Sequence, residues 1–151
     1  MTLADDFRAL PPAGRRAVHE QLVGMALERW REYADRQGAI RYRESVAGTQ
    51  QVVDATLPSD AFAAARNQQG CAEVDARYGE PRAALQDGDL EFPEPVAHAY
   101  DAVYNFFRRY GLGEDVDDWL IVNQAGASDP DPARWTATLQ RAIAAATGPT
   151  P

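Results

Sequence analysis

Apolar residues recur along this chain at the three-and-four spacing of amphipathic helices, most strongly between Val96 and Tyr110. Val96, Tyr100, Val103, Phe107 and Tyr110 share one helical face, while Glu94, Asp101, Asn105 and Arg109 are expected on the other. Gly111 stops that helix, and an acidic stretch leads into a second apolar segment, Trp119-Leu-Ile-Val122. Two β-branched residues would let this segment be a buried strand, but no partner strand is evident, which favours a helix.

The same spacing organises the rest of the chain. Thr2 is expected to cap a short helix, Leu3 to Leu10, ended by Pro11-Pro12. A long helix then runs to Gln37 with a broad apolar stripe and stops at Gly38. A further helix is expected from Ile40 to Leu57, with Tyr42, Val46, Val53 and Leu57 inward. Pro58-Ser59-Asp60 reads as a break and cap before an alanine-rich helix from Ala61 to about Gln69; the pattern continues past Gly70 to Gly79, and Glu80-Pro81 opens a short helix ending near Asp87-Gly88. Asp87 to Pro95 is loop-like, pinned by Leu90 and Phe92. Asp131-Pro132 caps a last helix carrying Trp135, Leu139, Ala142, Ile143 and Ala146 inward. With no repeat and no hairpin signal, the pattern predicts an all-α fold of six to eight helices in one compact domain, residues 1–147, followed by a flexible tail, 148–151.

A chain of 151 residues can bury a core without a metal or disulfide. Its one cysteine, Cys71, cannot form an internal bridge, and no secretory leader or membrane span is evident, so a soluble cytoplasmic protein is expected. The net charge of −8 is unevenly spread: residues 1–84 carry 11 basic and 12 acidic groups, residues 85–151 carry 4 and 11. Such a surface disfavours nucleic acid and anionic membranes and speeds encounter with a basic partner.

Candidate chemistry is sparse. Glu94, His98 and Asp101 lie on one polar stripe that could contribute metal ligands, but no second ligand set or recognised metal motif accompanies them. His19 falls between two apolar stripes, where a hydrogen-bonded, partly buried residue is expected. Cys71 reads as a packing residue, and no nucleophile motif, phosphate loop or cofactor signature is present. The paired arginines are scattered among acids, unlike a nucleic-acid surface. What remains is an acidic band: Asp87, Asp89, Glu91 and Glu94 before the Val96 helix, and Glu114, Asp115, Asp117 and Asp118 with Trp119 after it. If these converge on one surface, they form an acidic patch with an aromatic anchor, suited to a basic protein.

Four stretches carry a resemblance across roughly residues 40–145: Tyr42-Arg-Glu-Ser-Val46, Arg77-Tyr-Gly-Glu-Pro81, Ala99-Tyr-Asp-Ala-Val-Tyr-Asn-Phe-Phe107 and Asp117-Asp-Trp-Leu-Ile-Val-Asn-Gln-Ala125. Together they resemble small acidic helical immunity proteins of bacterial polymorphic toxin systems. That resemblance implies a cytosolic, non-catalytic binder that sits on the active site of a toxin and blocks it. Two alternatives stand beside this expectation: a metal-dependent helical enzyme using Glu94, His98 and Asp101, and a structural or adaptor subunit that self-associates through its aromatic face.

Overall fold

Where the apolar period is long and well capped, the chain folds as its sequence predicts. A computed structural model describes residues 2–148, and the bounds of the elements among them follow in chain order. They are α1 (Leu3–Arg8), α2 (Pro12–Gln37), β1 (Arg41–Arg43), β2 (Gln50–Val52), α3 (Leu57–Asn67), α4 (Cys71–Asp87), α5 (Glu94–Tyr110), α6 (Asp118–Ala127) and α7 (Pro132–Thr147). The fold is all-α, seven helices with one small hairpin among the described residues. The expected tail lies, beyond Gly148, outside those residues. No described helix is long and apolar enough to cross a membrane.

Helix α5 is the centre, packed against α2, α3 and α6. It buries Ala99, Tyr100, Ala102, Val103, Phe106 and Phe107. Each large side chain removed from water here contributes about 1.5–3 kcal/mol, so the aromatic face is spent inside the molecule. Helix α2 spans the molecule, touching α6 and α7 as well, and buries Trp30 against Phe92 and Tyr100 with ring centroids 5.0 and 5.1 Å away. Thr2 and Asp5 form a reciprocal cap on α1, and the Asp131 carboxylate accepts from the Ala133 and Arg134 amides at the start of α7. Trp119–Val122 is helical, within α6.

Three expectations are corrected. The helix expected over Ile40–Leu57 is an antiparallel hairpin, Arg41 opposite Val52 and Arg43 opposite Gln50. Tyr42 points into the core while Arg41 and Arg43 face out, the alternation of a half-buried strand. Its turn uses Gly48 at φ +71°, and the Glu44 carboxylate accepts the Val46 and Ala47 amides. Val46, expected inward, is 89% exposed at the tip. Second, Pro58 does not break a helix but sits in the first turn of α3, where a missing N–H costs nothing. Third, Pro81 opens no new helix: α4 runs through it, and the ring is buried in the core. One polar position also moves: Asn105, expected on the solvent face of α5, is buried, its side-chain amide donating to Gln124 Oε1 at 2.7 Å.

Candidate functional site: the acidic loop and the hairpin tip

The segment between α4 and α5 begins with Gly88, whose φ of +78° turns the chain out of the helix. The amides of Asp89 and Leu90 then donate back to the Ala84 carbonyl at 2.9 and 3.2 Å. Leu90 and Phe92 plug into the core, which fixes a short loop whose intervening residues face solvent. Asp87, Glu91 and Glu94 are exposed, and Asp89 is half-buried. The Asp89 carboxylate accepts the Ser45 amide at 3.0 Å, tying the loop to the hairpin tip. The exposed Val46 therefore stands one residue from the contact with Asp89. Glu44 adds to the same neighbourhood.

The second predicted cluster lies at the other end of α5. The 17-residue helix α5, which begins at Glu94, holds the two apart, about 25 Å at 1.5 Å per residue, so they do not form one compact patch. Most of the second cluster is also engaged internally. Asp118 pairs with Arg15 at 3.3 Å and Arg109 at 2.6 Å, and Glu114 pairs with Arg108 at 2.9 Å. Asp117 caps α6 by accepting the Trp119 amide at 2.8 Å. Trp119 is half-buried, its ring 5.8 Å from Phe7 with Arg8 over it at 5.9 Å. Only Asp115 of this group is both exposed and without a recorded partner among the described residues.

Behind that junction sits His19, fully buried. Its Nε2 lies 2.9 Å from the Asp118 carbonyl, which can only accept, so Nε2 carries the proton. Nδ1 then accepts from the Tyr110 hydroxyl at 2.7 Å. Burial pushes this imidazole down to about 4; the Asp118 carbonyl and charge oppose that, while Arg109 and Arg15 add to it. Held neutral with both nitrogens occupied, His19 joins α2 to α5 and α6.

The polar stripe of α5 does not gather a metal-ligand set. His98 Nε2 is 3.7 Å from Glu94, whereas Asp101 faces Arg82, also at 3.7 Å. Among the described residues no three His, Cys, Asp or Glu side chains lie close enough to share an ion. Cys71 is half-buried, its thiol donating to the Ala64 carbonyl at 3.4 Å. Sequence reasoning missed the hairpin tip, Glu44 to Val46. Gly48 and the alternation through Tyr42 mark it too briefly to outweigh the helical period of Tyr42, Val46, Val53 and Leu57.

Among the described residues, six helices around a central aromatic one, with an acidic loop and an exposed hairpin tip, define a small all-α protein with a two-part surface. Comparison of the chain with protein-family models, with curated proteins and with solved structures gave no match.

Proposed function

We propose that this chain is a non-catalytic, cytoplasmic protein-binding domain of immunity or inhibitor type, which neutralises a basic protein, such as a toxin, through an acidic surface. The single observation that carries the reading is the Ser45–Asp89 hydrogen bond, which ties the hairpin tip with its 89% exposed Val46 to the loop that bears Asp87, Asp89, Glu91 and Glu94. An apolar tip tied to a carboxylate-bearing loop offers burial and negative charge on one surface, a combination that favours a basic protein over nucleic acid or an anionic membrane. The carboxylates at 114–118 contribute less, because Glu114 and Asp118 pair with arginines and Asp117 caps α6, leaving Asp115 as the member without a recorded partner among the described residues.

The test is capture from the lysate of the source organism, with parallel washes at low and high salt and the retained proteins identified by mass. A single basic protein, retained at low salt, lost at high salt and inactive while bound, is the expected result. Retained proteins with no basic member, or binding indifferent to salt, would contradict the reading.

A further inference from the structure

Between the second half of α4 and the start of α5 lies a cleft of about 410 Å³, lined by Arg82, Leu85, Gln86, Phe92, Tyr100 and Asp101 among others. Its aromatic wall is packed against the core: the Phe92 and Tyr100 rings are 5.2 Å apart and both rest on Trp30. Gln86 and Phe92 adjoin Asp87 and Glu91 in the chain, so the mouth opens next to the acidic loop.

Asp101 is the unusual residue in it. Its carboxylate is half-buried and accepts no hydrogen bond recorded among the described residues; its nearest cation, Arg82 Nη1, stands at 3.7 Å, beyond hydrogen-bond reach. Arg82 is meanwhile stacked over the Tyr104 ring at 4.3 Å, which divides its charge between two neighbours. Burial accordingly raises the Asp101 carboxyl, with Arg82 and His98 acting against the rise. The Asp101 side chain is 40% exposed at the cleft, so a cation bringing its own N–H groups would replace water on the carboxylate oxygens with charge-assisted hydrogen bonds.

We propose that this cleft receives an arginine side chain of the basic partner, its guanidinium on Asp101 and its stem along Leu85 and Phe92. The occupant rests on the protein-binding reading above. Arginine fits better than lysine because its planar guanidinium can pair with a carboxylate through two bonds while lying on an aromatic ring. The apolar wall suits the methylene stem, and the loop carboxylates draw the positive charge to the mouth.

The experiment is an NMR titration of the intact protein with N-acetyl-arginine amide, and with N-acetyl-citrulline amide as the neutral isostere. Saturable shifts of the Ala97 and Asp101 amides are expected with the arginine compound, and binding about tenfold weaker with citrulline. Asp101→Asn should remove that preference, and Arg82→Ala should strengthen arginine binding by taking away the competing guanidinium. Equal binding of the two compounds, an inert Asp101→Asn, or weaker binding in Arg82→Ala would overturn the assignment. Charge reversal of Asp87 and Glu91 tests the protein-binding reading separately: if reversal abolishes capture of the partner while the cleft does not prefer arginine, the cleft assignment fails and the surface stands.

Discussion

His19 shows how one side chain can couple three helices. Its two ring nitrogens satisfy the Tyr110 hydroxyl and the Asp118 carbonyl, and Phe7 and Tyr110 flank the ring at 5.3 and 5.7 Å. Because the folded imidazole titrates near 4 and the unfolded one near 6.5, the unfolded chain binds more protons between those values. The stability contributed by neutral His19 is therefore complete above about pH 6.5 and declines as pH falls towards 4, by up to roughly 3 kcal/mol. Urea unfolding from pH 7 to pH 4 should show this slope in the native protein. A His19→Gln variant keeps a donor and an acceptor without the charge, and should show a shallower slope; identical slopes would remove His19 from the account. The environment of this residue was legible from its place between two apolar stripes, but its partners were not, since they lie 91 and 99 positions away in the chain.

Asp129 makes the same point for charges. Its side chain is fully buried, yet it pairs with Arg29 at 3.2 Å and Arg134 at 2.5 Å, and the Arg134 hydrogen bond leads the effects holding its carboxyl below the usual range. Nothing in the spacing of Arg29 and Asp129 marked them as neighbours.

At the scale of elements, packing decided what periodicity left open. Gly126 of α6 faces Trp135 of α7 so closely that a Cβ there would overlap the indole ring. Gly24, by contrast, lies inside α2 with Phe62 at ordinary contact distance from a built Cβ. Gly126→Ala should destabilise the fold by about 1–3 kcal/mol through overpacking. Gly24→Ala should stabilise it by about 0.5–1 kcal/mol by restricting the unfolded chain and favouring helix. Denaturant midpoints check both: an unchanged or raised midpoint in Gly126→Ala would show that the α6–α7 contact is looser than described, and a lowered one in Gly24→Ala that Phe62 leaves no room for the methyl group.

The helices of long period, α2, α5 and α7, could be read directly because one face must be buried and a proline near the start and a glycine at the end mark their bounds. The hairpin could not, since three-residue strands give too short an alternation to compete with an accidental helical period. Pro81 misled for a related reason. A proline inside a helix costs about 3 kcal/mol on intrinsic grounds, and only the burial of its ring against the core reveals what offsets that cost.

Across the whole molecule, the charge map was legible and its geometry was not. The excess of carboxylates after residue 84 is plain in the sequence, but whether the two clusters meet depends on α5, which holds them at opposite ends. One cluster clamps the α2–α5–α6 junction through Arg15 and Arg109. The other, joined to an exposed hairpin tip through Asp89, pairs with no arginine among the described residues and carries the proposed interface.

The most direct test compares two triple variants in stopped-flow association with the captured basic partner at low ionic strength. Asp87→Lys, Glu91→Lys and Glu94→Lys together should slow association by about tenfold or more with little change in thermal stability. The matched set Glu114→Lys, Asp115→Lys and Asp117→Lys, at the far end of α5, should change the association rate much less. Equal slowing by both sets would mean that net charge alone drives the encounter. No slowing by the first set would contradict the assignment of the loop and hairpin tip as the binding surface.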